Sequence, residues 1–125
     1  MSVNLRDGVA TYGSSTDSIT TIEHLRMGNG TNLVQGNQFA NSFVGGTGTD
    51  TLSYSGATAA ITLNVTSNGA GTTTGDGADI FLNFENYTLS ANADTANLNA
   101  VYGSTINAGA LSDTASYSTV GAALT

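Results

Sequence analysis

Apolar and small polar residues alternate in short runs along the whole chain, and the runs are separated by Gly, Thr, Ser and Asn. Such alternation puts apolar side chains on one face of a strand and polar ones on the other. It predicts strands at residues 3–5, 10–12, 18–22, 32–35, 41–44, 50–54, 59–65, 79–84, 86–89, 96–98, 114–117 and 122–124. No stretch repeats apolar residues at helical spacing. The expected fold class is therefore all-β, made of short strands and turns.

One stretch sets the plan. Residues 27–53 divide into three nonapeptides, MGNGTNLVQ, GNQFANSFV and GGTGTDTLS, with Asn32, Asn41 and Asp50 at the sixth position and Val34, Phe43 and Leu52 at the eighth. The third copy meets the full pattern G-G-x-G-x-D-x-U-x through Gly45, Gly46, Gly48, Asp50 and Leu52. Glycine takes positive φ cheaply and so permits a tight turn, whose carbonyls join the Asp carboxylate as hard oxygen ligands suited to calcium. In the other two copies Asn replaces Asp, and Phe39 stands where the second copy would have its third glycine.

These nonapeptides resemble the RTX, or haemolysin-type, calcium-binding repeats of proteins exported by bacterial type I secretion systems. The resemblance implies a parallel β-roll, or β-solenoid, in which two nonapeptides make one coil. A loop then meets its stacking neighbour two nonapeptides on, so Asn32 and Asp50, 18 residues apart, would share one ion. The calcium ligands implied in this way are Gly28, Gly30, Asn32, Gly46, Gly48 and Asp50. Coils of about 18 residues rising about 4.8 Å each give roughly seven coils and a rod about 33 Å long.

A larger repeat overlies the small one. Residues 50–62, DTLSYSGATAAIT, align with 113–125, DTASYSTVGAALT, at an offset of 63. Asp17, Ile19, Ile22 and Glu23 align with Asp79, Phe81, Phe84 and Glu85 at an offset of 62. The chain is thus expected to be one domain of two degenerate copies, approximately 1–62 and 63–125. The closing AALT would run on into the opening SVNLRDG as AAIT runs into LNVTSNG, which points to a segment of a longer repetitive protein or a unit that stacks head to tail. In the second copy Asp94 stands where the first has Asn32, and Asp113 follows 19 residues later, so these two are a second expected metal pair. Asp76 and Asp79 in the turn GDGAD are a weaker oxygen-rich candidate, for which a solvated turn is the simpler reading. Glu23 and Glu85 are expected to close coil corners by accepting from backbone N–H groups. His24, with Asn86 as its counterpart, reads as a corner residue.

Composition narrows the function. Charged residues are 9% of the chain, where about 25% is usual, and the balance is made up by Gly, Thr, Ser, Asn and Ala, which stack closely. A net charge of −7 gives no basic face for nucleic acid or for an anionic membrane. There is no Cys, no Pro and no long apolar run. Absence of Pro suits stacked strands in which nearly every N–H is used. No G-x-S-x-G, H-E-x-x-H, P-loop or Cys/His cluster occurs, so no enzyme is expected. The leading expectation is a structural, calcium-stabilised segment of a secreted or cell-surface bacterial protein of the adhesin or surface-layer type, associating end to end with its own copies. It would stay unfolded in a calcium-poor cytosol and fold in millimolar extracellular calcium. An accessory roll attached to a secreted protease or epimerase is the alternative. A third reading is an ice- or carbohydrate-binding face carrying Thr47, Thr49 and Thr51, with Thr72 and Thr74.

Overall fold

Along the strands that face the core alternate residues turn inward, as Leu63 and Val65 do and as Ala96 and Leu98 do, the geometry that alternation dictates. The computed structural model describes residues 1–99 and 103–117. In chain order the strands are β1 (Ser2–Asn4), β2 (Val9–Tyr12), β3 (Ser15–Ser18), β4 (His24–Arg26), β5 (Leu33–Gln35), β6 (Ser42–Val44) and β7 (Thr51–Ser53). There follow β8 (Thr62–Ser67), β9 (Ala70–Thr74), β10 (Ala78–Leu82), β11 (Asn86–Thr88), β12 (Thr95–Leu98), β13 (Thr105–Asn107) and β14 (Thr114–Ser116). No helix occurs among the described residues, so the all-β expectation is met.

The strands form two seven-stranded sheets, in the orders β13-β11-β7-β5-β1-β2-β3 and β14-β12-β8-β9-β10-β6-β4. From β4 to β7 the strands start nine residues apart and alternate between the sheets. Each pairs in parallel with the next but one: β5 with β7 through Val34 and Leu52, β4 with β6 through Leu25 and Phe43. The same alternation runs from β11 to β14. Inward side chains of both sheets meet in one core, in which Val34, Leu52, Leu63, Phe43 and Tyr87 are fully buried.

The sheets are mixed, which the expectation of a purely parallel stack does not cover. β1, β2 and β3 form an antiparallel meander in the first sheet, and β8, β9 and β10 form another in the second. Turns at Gly69, with φ 65°, and at Gly75 and Gly77, with φ 111° and 85°, send the chain straight back along its own strand. One pairing scheme therefore occurs twice. Pairs β1–β5, β5–β7 and β4–β6 recur as β8–β12, β12–β14 and β11–β13, with the two sheets exchanged. Two parallel seams, β6–β10 and β7–β11, join the first set of seven strands to the second.

Other expectations shift. The strand expected at 18–22 does not form: β3 ends at Ser18 and is exposed throughout because it only edges the meander, and residues 19–22 lie outside any strand. β4, β9 and β13 were not expected, since HLR and TIN carry one apolar residue each and AGTTT none larger than alanine. The strand expected at 122–124 lies outside the described residues.

Candidate metal site

The residue that enters each parallel strand stacks on its equivalent in the next layer, and there its side chain caps the neighbour's backbone. Asn32 N–H donates to Asp50 Oδ1 at 2.9 Å, and Asp50 N–H donates to Glu85 Oε2 at 2.8 Å. In the other sheet Asn41 N–H donates to Asp79 Oδ1 at 2.7 Å, Ile61 N–H to Asp94 Oδ1 at 2.6 Å, and Asp94 N–H to Asp113 Oδ1 at 2.9 Å. Each acceptor is a carboxylate, which makes the stronger, charge-assisted bond. The corner role expected of Glu85 is seen here. Glu23 makes no side-chain hydrogen bond among the described residues, and His24 is exposed on β4.

At Asn32 the ladder becomes a cradle. Asn32 Nδ2 lies 2.8 Å from Asp50 Oδ1, 3.2 Å from Gly28 O, 3.1 Å from Gly30 O and 3.3 Å from Gly45 O. A side-chain amide has two protons, so four oxygens share two donors. Asp50 is fully buried, and its Oδ2 has no hydrogen-bond partner. Two glycines make the approach of the loops feasible. Gly46 has φ 105° and a Cβ there would stand 2.3 Å from Gly28 O; Gly48 has φ 128° and its Cβ would stand 2.5 Å from Gly30 O.

Four oxygens converging on one point, with a buried carboxylate among them, are donors of the kind that hold calcium. The residues fit a hard cation in chemistry, and the Asn32 amide nitrogen takes the point on which they converge. Of the expected ligands, Gly28, Gly30, Asn32 and Asp50 come together here with Gly45, while Gly46 and Gly48 act by letting the carbonyls close in. No group of three or more His, Cys, Asp or Glu side chains arranged for a metal occurs among the described residues.

The second pair is also adjacent, through Asp94 N–H and Asp113 Oδ1, but the Asp94 carboxylate is filled by the protein. Besides Ile61 N–H, its Oδ1 accepts from Ser90 Oγ at 2.8 Å, and Oδ2 accepts from Ser90 N–H at 2.8 Å. Ser90 stands where the first copy has Gly28, a substitution visible in the sequence whose donor role is not.

Asp76 and Asp79 do not sit in a solvated turn. Asp76 is buried against Arg6, whose Nη2 forms an ion pair with its Oδ2. Asp79 Oδ2 accepts from Tyr54 Oη at 2.5 Å and from Thr73 Oγ1 at 3.3 Å, in a pocket of the core. Burial holds the Asp79 carboxyl above the ordinary value of 3.8. Burial, then the neighbouring Asp79 charge, pushes the Tyr54 phenol well above its usual value. Thr47 and Thr49 lie in the loop before β7 rather than on a strand, and Thr47 Oγ1 donates to Asn29 Oδ1 at 2.8 Å. Thr72 and Thr74 do share the exposed face of β9.

No family model, no curated protein and no solved structure matches this chain. Among the described residues no helix is long and apolar enough to cross a membrane.

Proposed function

We propose that the chain is a structural β-solenoid segment of a secreted or cell-surface bacterial protein, built on the calcium-binding repeat plan, with calcium as a supporting ligand and no catalytic role. One observation carries this reading: strands nine residues apart alternate between two sheets, so that Asn32 and Asp50, 18 residues apart, stack and share one oxygen cradle. That spacing is what two nonapeptides per coil require. Gly28, Gly30 and Gly45 would hold the ion through carbonyls and Asp50 through its carboxylate, and the ion would supply positive charge to that buried acid. The Asn32 amide supplies protons to the same oxygens, so the cradle closes without an ion.

The proposal also accounts for the absence of a catalytic constellation in the sequence. Each carboxylate of the ladder is spent on a backbone donor, which is a scaffold's use of acids. As a test, Asn32→Asp removes the amide and sets a second carboxylate against Asp50. We expect this variant to melt lower than wild type in EGTA and to regain its stability in millimolar calcium, with heat of calcium binding in a titration. Wild type should show a smaller response. An Asn32→Asp variant indifferent to calcium would sink the calcium-repeat reading.

A further inference from the structure

Within the chain, the first seven strands meet the second seven along β6–β10 in one sheet and β7–β11 in the other. Among the described strands, β3 and β4 are left as edges at one end of the sheets, and β13 and β14 at the other. By the offsets of 62 and 63, β3 and β4 are the equivalents of β10 and β11, while β13 and β14 are the equivalents of β6 and β7. The two outer edges of the described sheets are thus the two halves of a seam that the chain already contains. We infer that a second copy of this chain docks head to tail, its β13 adding in parallel along residues 18–20, where β3 ends, and its β14 to β4, so that both sheets run on between molecules. This stacking rests on the structural-segment reading above.

The capping groups match as well. Across the internal seam, Asn41 N–H and Asp50 N–H donate to Asp79 and Glu85. At the free ends Ser104 and Asp113 take the places of the two donors, and Asp17 and Glu23 take those of the two acceptors. Among the described residues the Ser104 and Asp113 N–H groups find no acceptor, and the Asp17 and Glu23 carboxylates find no donor. One end therefore carries unmatched donors where the other carries unmatched charged acceptors, at equivalent positions. Among the described residues a cleft lies beside the core at each of these edges. A cleft of about 210 Å³ lies beside Ile106 and Ala115, and one of about 370 Å³ beside Ile19 and Ile22. In the seam Phe43 faces Phe81 and Leu52 faces Tyr87, whereas between molecules Ile106 would face Ile19 and Ala115 would face Leu25. The apolar contact keeps its position and loses area, so the contact is a weak, concentration-dependent one.

The register follows from the internal pairs. Thr51 faces Asn86 in the seam, so Thr114 of one molecule faces His24 of the next. Strands about 4.8 Å apart lie within the Cα separation that a disulfide spans, and the chain has no cysteine of its own. Thr114→Cys and His24→Cys, made in separate chains and mixed under mild oxidation, should give a mixed disulfide about tenfold more readily than Thr114→Cys with Arg26→Cys, which is two residues out of register. Wild type, sedimented from micromolar to millimolar concentration, should grow beyond the monomer. Equal cross-linking of both mixtures, or a preference for Thr114→Cys joined to itself, would overturn the head-to-tail register. A strict monomer with an intact β-sheet spectrum would overturn the stacking alone, and a chain without β-sheet would overturn the structural reading beneath it.

Discussion

Asn32 and Asp50 show how one side chain settles what a loop can hold. Asp50 Oδ1 accepts from both the backbone N–H and the amide of Asn32 in a fully buried position. Asp50→Ala leaves those donors unmatched, at about 1–3 kcal/mol for each buried group, so a urea midpoint well below wild type is expected. That the two residues would meet was legible in the 18-residue spacing once two nonapeptides are taken to make one coil, as the resemblance implies. That an amide nitrogen would stand among four oxygens was not, because it depends on how closely two loops approach. Asp79 was misread for a related reason: its partner Tyr54 is 25 residues away, across the core, and no local pattern reports it. Its raised carboxyl value has a testable sign. The folded chain holds the Asp79 proton more tightly than the unfolded one, so this group's contribution is full below 3.8 and is lost as pH rises through its folded value. Subtracting the pH profile of Asp79→Asn from that of wild type should leave a term that falls with rising pH in that window. A difference that rises with pH would contradict the burial assigned to Asp79.

At the scale of elements, strands with strong alternation were readable and strands whose register comes from elsewhere were not. Residues 50–54 carry Leu52 and Tyr54 inward at a spacing of two, and both are buried. β9 reads AGTTT, yet it forms because β8 and β10 flank it and the glycine turns return the chain. Its Gly71 has a further reason, since a Cβ there would meet Asn64 O at 1.9 Å. Two substitutions separate packing from turn geometry. Leu52→Ala, at a fully buried site, should cost about 2–5 kcal/mol by thermal or urea melt. Gly48→Ala should destabilise although it adds no cavity, because φ 128° and the Gly30 carbonyl both exclude a Cβ. A Gly48→Ala chain as stable as wild type would mean that the loops do not approach as closely as the cradle requires.

Across the whole molecule, one scheme of seven strands is used twice, with the sheets exchanged between uses. The sequence offsets of 62 and 63 carry that period, but not the exchange, which arises because an odd number of strands precedes the second meander. Nor do they carry the antiparallel meanders, since nonapeptide logic speaks only of parallel steps. Beside the shared core and the strand pairing, a run of side-chain caps links the layers, from Asn32 through Asp50 to Glu85, matched by Asn41 to Asp79 and Ile61 through Asp94 to Asp113. The central claim is that this ladder closes on protein donors, so the proposed calcium would add to a fold that is already formed. Far-UV circular dichroism of the wild-type chain in excess EGTA, followed through a thermal melt, tests it most directly. The account predicts a β-sheet spectrum and a cooperative transition before any calcium is added; a coil spectrum that turns to β-sheet only with calcium would contradict it.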